Sequence, residues 1–331
     1  MIVLFISHAF LFFQYSSIDT NPISVYIMHP FWNRIIAVCP LWIAPNLLTF
    51  TGSSLRVLLK EYSEDHPMTF SAHPTLYNQL SNRSSNRIFF FFKFCADGID
   101  GKQARRTHTS GPVGELFDHG LDSWTTIFIP TLLYSIFGRS PPSIPPYRMF
   151  YICWHVFINF YLSHWEKYNT GVLFLPWSYD ISMLVITRFH DMTTLIFLLT
   201  SYRDNTGKMK PFFEAIRPLV PLLIFFALAL YWTHKSPTNV IERDPRMFFM
   251  LSGSVFSNIC CRLIVAQMSS TRCEVFNPLL VPLSFGILLS LMIPVLELFI
   301  LYALLIIATL AHIYYGANVV SQRNTLQAVH I

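Results

Sequence analysis

The sequence predicts an all-α, polytopic integral membrane bundle of about eight to ten transmembrane helices. Three observations carry this expectation. Of 331 residues, 53% are hydrophobic and only 12% charged, about half the charge of an ordinary soluble domain, and the mean hydropathy is +0.45. That composition excludes a soluble enzyme with one aqueous shell, a disordered chain and a fibrous repeat. Apolar segments approaching the ~20 residues of a membrane span recur along the chain. Period-two alternation, which a closed barrel would show, does not occur.

The elements follow in order. Residues 2–13 are apolar, but the first basic residue is Arg34, so an interfacial segment is expected rather than a cleaved signal peptide. Residues 1–41 form this N-terminal amphipathic or interfacial part. Spans are expected at 42–59, 117–137, 148–165, 171–187, 216–232, 247–268, 277–296 and 298–315, with shorter ones at 88–100 and 192–202. Helices within 42–232 are expected to carry the chemistry, and those within 233–331 to act as scaffold or dimer surface. Lys102, Arg105 and Arg106 follow one short span, and Arg203, Lys208, Lys210 and Arg217 follow the other. With ten spans these cations fall on one side together with Arg272 and Arg323, which the positive-inside rule makes cytosolic. The six cysteines form no C-x-x-C pair and are read as small hydrophobes rather than a zinc site or disulfide framework.

The informative stretch is 97–122: Asp97-x2-Asp100-Gly101-x2-Ala104-Arg105-x8-Gly114-x3-Asp118-x3-Asp122. On helices, Asp97 and Asp100 share one face, and Asp118 and Asp122 share another. Two neighbouring helices joined by a short basic loop can therefore aim four carboxylates at one place. Such a cluster at a membrane border repels itself unless hard divalent cations neutralise it, Mg²⁺ or Mn²⁺ first. Gly101, Ala104 and Gly114 remove side-chain bulk, so backbone or phosphate can approach. Arg105 adds a fixed cation suited to phosphate oxygens. The alternative, solvated acids at helix ends, suits one or two carboxylates better than four, because intramembrane acids are costly and usually functional.

This spacing resembles, at every fixed position, the signature of the CDP-alcohol phosphotransferases. Further blocks are similar to the eukaryotic choline/ethanolamine phosphotransferases, and nearest to their ethanolamine branch: 15–22, 28–33, Ala44-Pro45-Asn46-Leu47-Leu48-Thr49, 114–123, Ser163-His164-Trp165-Glu166-Lys167-Tyr168-Asn169-Thr170-Gly171, and 267–273. The resemblance covers most of the chain, from about Tyr15 to Gly316. It implies transfer of phosphoethanolamine from CDP-ethanolamine to the hydroxyl of diacylglycerol, giving phosphatidylethanolamine and CMP. It also implies that Asp97, Asp100, Asp118 and Asp122 hold one or two divalent ions. Arg105 would meet the nucleotide's phosphates and Asn46 the nucleotide, beside the small positions Gly101, Ala104 and Gly114. An endoplasmic reticulum or Golgi location with a cytosolic active site, a homodimer, and no nucleic-acid partner complete the expectation.

Two residues compete for the general base. Asp122 is the last acid of the signature, but a metal-bound carboxylate is a weak base. His119 lies between two metal acids and has a reference pKa near working pH, so it is favoured. Glu166 ends the 148–165 helix and can receive a primary ammonium, whereas a quaternary ammonium prefers an aromatic cage; the alternative is an aromatic-belt residue with a solvated charge. Asp180 and Arg188 read as substrate-binding polar groups or a structural ion pair, the latter favoured. Only about nine apolar residues precede Asp97, with Ser81–Arg87 immediately upstream. The rival readings are a choline or dual-specificity enzyme, a catalytically inactive membrane scaffold, and a cation transporter.

Overall fold

The computed structural model describes residues 17–19, 24–50, 98–127, 145–175 and 210–329. Among these the chain is overwhelmingly helical, as expected, with one small addition. β1 (Ser17–Asp19) pairs in parallel with β2 (Leu173–Leu175), Ser17 opposite Leu173. The expected spans at 88–100 (up to Asp97) and 192–202, together with Asp97, Asp180 and Arg188, lie outside the described residues. The chain divides into two compact units, residues 22–122 and residues 1–21 with 123–331.

In the 22–122 unit, a single π-helical turn (Ser24–Met28) leads into α1 (His29–Val38), which has a proline in its first turn. Pro40 ends α1. The residue before a proline is pushed out of the helical region, and Cys39 is extended at φ −68° and ψ 127°. A second helix, α2, occupies 45–50, and α3 occupies 98–106. α3 closes on His108, a non-glycine residue at φ 55°, with Thr109 N–H returning to the Ala104 carbonyl (2.9 Å). This wrap-around bond satisfies a helix-end carbonyl that would otherwise lack a donor. α4 (Pro112–Thr125) follows with proline at its start.

α3 is tied to α1 by its side chains. Arg106 Nη1 donates to the carbonyls of Ile36 (2.6 Å) and Cys39 (2.8 Å), and Gln103 Nε2 donates to those of Pro40 (2.9 Å) and Ile43 (3.1 Å). These carbonyls lie at the C-terminus of α1 and in the turn beyond it, where a cation also opposes the helix dipole. Gly98 lies against the buried Trp32 indole: a Cβ there would sit 2.4 Å from the ring. No side chain fits at 98 while Trp32 keeps its place.

The second unit contains α5 (Pro146–Thr170), the short α6 (Phe212–Ile216), α7 (Leu219–Lys235), a single turn α8 (Val240–Arg243), α9 (Pro245–Met268), α10 (Leu280–Met292) and α11 (Glu297–Val329). Among the described residues, three stretches are long and apolar enough to cross a membrane: Phe212–Lys235, Pro245–Met268 and Pro294–Ser321. α9 is the central one, packed against α5, α7 and α11. Phe157 stacks on Phe256 (centroids 4.3 Å) and Phe150 meets Phe248 edge-on. Close helix contact uses small residues. A Cβ on Gly253 would lie 2.7 Å from Ile127, and one on Gly286 would lie 2.7 Å from Leu304.

Two expected spans differ in outline. The 171–187 segment does not start as a helix: Gly171, left-handed at φ 80°, caps α5, and 173–175 is extended. The 277–296 segment is interrupted at Ile293, because Pro294 forbids a helical residue before it; a 3-10 turn (Pro294–Leu296) then leads into α11. The expected 298–315 helix runs on to Val329. The five described cysteines are free thiols.

One buried acid anchors this second unit. Glu297, fully buried, accepts from Trp232 Nε1 (2.8 Å), Thr238 N–H (3.1 Å) and Thr238 Oγ1 (2.6 Å). Removing it strands three donors. Glu297→Ala is expected to cost about 3 kcal/mol, read as a clear fall in melting temperature in detergent, with Glu297→Gln falling less because its amide oxygen keeps part of the set.

Candidate functional site

The signature residues sit on α3 and α4, with α2 beside them in the same unit. Asp100 is buried on α3, at 5% exposure. Its Oδ2 accepts a 2.6 Å hydrogen bond from the hydroxyl of Thr49, itself 3% exposed, and its Oδ1 accepts from the Gly101 N–H. The Pro45 carbonyl lies 3.3 Å from the same hydroxyl. The helix opened by Pro45 therefore places a hydroxyl against a carboxylate 51 residues later in the chain. Thr49 belongs to the block that carried the resemblance, yet periodicity gave no reason to single it out, because its role depends on a partner far away in sequence.

Asp118, His119 and Asp122 are half-buried on α4. Asp118 and Asp122 are one turn apart and share a face. Glu115, buried on the same helix, stands with its Oε1 4.0 Å from His119 Nε2. This acid was also missed from sequence. Its signal was the i, i+4 spacing to His119, which an ordinary surface pair shows as well.

The small residues face the expected nucleotide groups. A Cβ on Gly114 would lie 3.7 Å from Asn46 Oδ1, and one on Gly101 would lie 3.7 Å from Arg105 Nη1. A methyl would fit at either position, but anything longer would fill the space beside the Asn46 amide or the Arg105 guanidinium. Ala104 is half-buried on α3. The adjacent arginines divide their work. Arg106 is bound to the end of α1, whereas Arg105 is exposed and its guanidinium makes no hydrogen bond or ion pair among the described residues. Lys102 donates to Asn33 Oδ1 (2.8 Å), and burial together with the Arg105 charge holds its ammonium below the ordinary lysine range.

The structure thus brings Asn46 to Gly114, Thr49 to Asp100, and Glu115 to His119. Among the described residues no group of three or more His, Cys, Asp or Glu side chains gathers as a metal centre, and Asp97, one of the expected four, lies outside them. The donor chemistry still fits a hard divalent ion. The carboxylates supply only oxygen ligands, and Asp100 is oriented by a buried hydroxyl as metal-binding carboxylates are. Glu166 lies in the other unit, on α5. It is 1% exposed, which excludes the solvated-charge alternative.

Two outcomes follow. Thr49→Val should weaken Mn²⁺ binding about ten-fold, the lower range for a residue that supports a ligand, measured by electron paramagnetic resonance on purified protein, while Thr49→Ser retains it. Arg106→Ala should lower the melting temperature by removing the bonds to α1, whereas Arg105→Ala leaves the melting temperature unchanged and weakens cytidine nucleotide binding.

Comparison with known proteins bears on these assignments. A family profile described as CDP-alcohol phosphatidyltransferase matches residues 42–257. Ethanolaminephosphotransferase 1 of Mus musculus is 41% identical, the alignment covering 94% of this chain and 88% of the relative; that of Homo sapiens is 40% identical over the same shares. Cholinephosphotransferase 1 of Rattus norvegicus is 28% identical, covering 73% of this chain and 69% of its own length.

Proposed function

Since this chain belongs to the CDP-alcohol phosphatidyltransferase family, we infer that it is an ethanolaminephosphotransferase, moving phosphoethanolamine from CDP-ethanolamine to the hydroxyl of diacylglycerol. The products are phosphatidylethanolamine and CMP. The observation that carries the donor choice is the 41% identity across 94% of the chain to an ethanolaminephosphotransferase, against 28% for a cholinephosphotransferase. The chain is an integral membrane enzyme. Its loop cations support a cytosolic active site, in the endoplasmic reticulum or Golgi, and a homodimer through 233–331 belongs to the same reading.

The reaction joins the diacylglycerol oxygen to the phosphorus that bears ethanolamine and breaks that phosphorus–oxygen bond to CMP. The hydroxyl proton must leave as the new bond forms. His119 is assigned to take it, with Glu115 stabilising the resulting imidazolium. The proton can then pass to solvent or to the departing phosphate. Arg105 holds the nucleotide's phosphates, and Asn46 holds the nucleotide beside Gly114. Gly101 and Ala104 keep the approach to Arg105 open. The family is generally divalent-metal dependent, and Asp97, Asp100, Asp118 and Asp122 are the residues that would hold Mg²⁺ or Mn²⁺. When bound, such ions neutralise the diphosphate and the charge developing on the leaving CMP. Thr49 keeps the Asp100 carboxylate turned for that role.

The test is a paired-donor assay on membranes carrying the chain, with labelled CDP-ethanolamine and CDP-choline, each with Mg²⁺, with Mn²⁺, or with chelator. Metal-dependent phosphatidylethanolamine synthesis in preference to phosphatidylcholine is expected; a clear choline preference overturns the donor choice. Asp118→Ala should abolish turnover. His119→Ala should lower kcat by roughly 10²–10⁴-fold with donor KM nearly unchanged. Near-normal turnover in His119→Ala passes the role of base to Asp122.

A further inference from the structure

Two arginines distant in the chain meet one carboxylate in the second unit. Arg217, just after α6, brings Nη1 to 3.6 Å from Glu214 Oε2. Arg272, in the connection after α9, brings Nε to 3.6 Å from the same oxygen. Both separations exceed a hydrogen bond. Neither guanidinium makes a hydrogen bond among the described residues, and Arg217 Nε is buried without a partner there. The Arg272 side chain is 80% exposed. Open ion pairs of this kind contribute little, and arginine stays charged at any working pH. One acid therefore leaves two guanidiniums with positive charge and unused donors.

The neighbouring charged groups do not complete them. Glu274 takes Arg262. Lys210 Nζ stands 3.4 Å above the Tyr168 ring, and burial draws its ammonium below the ordinary lysine range against the pull of Glu214. Glu166 and Lys167 on α5 are one of each sign and equally buried, and the buried His164 keeps Nδ1 3.0 Å from the Phe160 carbonyl. Among the described residues, Glu214 is the one acid that pairs with Arg217 or Arg272.

The place is a membrane border. Phe212–Lys235 and Pro245–Met268 are each long and apolar enough to cross. They are joined through 236–244, so the start of the first and the end of the second fall on one side. Arg217 and Arg272 stand at those ends. Phe212 and Phe213 on α6, and Val275 and Phe276 beyond Arg272, are exposed, as aromatic side chains at headgroup depth are. The group that completes the arginines must offer several acceptor oxygens and negative charge, which a phosphate does for two guanidinium forks at once. A water-soluble anion would leave the aromatic side chains uncovered. A phospholipid carries its phosphate at this depth and brings acyl chains to cover them. On the reading that the loop cations are cytosolic, this leaflet is also the one that holds anionic lipid.

We propose that Arg217 and Arg272 bind the phosphate of an anionic membrane phospholipid, whose acyl chains lie against Phe212, Phe213 and Phe276. The site is independent of the donor choice and of the signature acids.

The test uses the purified full-length chain in detergent, stripped of lipid and titrated with phosphatidylglycerol or with phosphatidylcholine. Bound lipid is counted by native mass spectrometry, with inorganic phosphate and CMP as competitors at matched ionic strength. Wild type is expected to bind phosphatidylglycerol at least five-fold more tightly than phosphatidylcholine. Arg272→Gln and Arg217→Gln should each weaken phosphatidylglycerol binding about five-fold, the effect of one cation at a membrane surface. Phosphatidylcholine binding should stay within about two-fold. Arg243→Gln removes an exposed cation from the connection at the opposite ends of these spans, and should change neither. Should Arg217→Gln not fold, Arg272→Gln decides, because that side chain is largely exposed and loses no hydrogen bond. Equal affinity for the two lipids overturns the proposal, as does unchanged binding in Arg272→Gln. An equal loss in Arg243→Gln reduces the effect to net charge and also overturns it. Displacement of phosphatidylglycerol by inorganic phosphate or CMP assigns the arginines to a soluble anion instead and removes the lipid.

Discussion

An acid at the edge of hydrocarbon must find a donor or a cation, because neither lipid nor a packed helix interface solvates a carboxylate. The arrangement of this chain follows from how each acid meets that demand. Glu297 meets it with protein donors alone, gathering an indole, a hydroxyl and a backbone N–H at the start of α11. Asp244 meets it by capping α9 through the Met247 N–H and accepting from the Tyr302 hydroxyl (2.7 Å). These acids are structural, and their sets of partners are supplied within the fold.

The signature acids are handled differently. Asp100 receives the Thr49 hydroxyl, a buried donor from 51 residues earlier in the chain that orients the carboxylate. Glu115 is placed a helical turn before His119, its Oε1 4.0 Å from the imidazole Nε2. Arg106 secures α3 to α1, whereas the neighbouring Arg105 is exposed. Catalysis of this kind relies on groups held in place before substrate arrives. The bonds of Thr49, Gln103 and Arg106 supply that rigidity within the unit that carries the signature.

In the other unit, α9 is the element around which the helices gather. Its serines and Gly253 allow close approach where leucines would hold neighbours apart. Some of the polar atoms this buries are paired across elements, as between Ser123 and Ser257 (2.6 Å), or between Asn258 and Asn277 in the connection before α10 (2.9 Å).

Much of this was legible before any coordinates. Apolar runs and the lack of alternation mark an α-helical membrane protein, since length and hydropathy are local properties of the chain. The signature and its spacing also name the acids and small residues, because residues three or four apart on a helix must share a face. Span outlines were read less well where a single residue decides them: Gly171 ends α5, and Pro294 splits the expected 277–296 helix. What the sequence by itself determined is therefore the set of chemical groups and the helices that carry them. Only the tertiary structure decided which groups meet: that Thr49 serves Asp100, that Trp32 requires Gly98, that Arg106 is spent on α1 while Arg105 is not, and that Glu166 is buried. Such pairings join residues distant along the chain, and hydrogen bonding depends on distance and angle in space, which no spacing rule encodes.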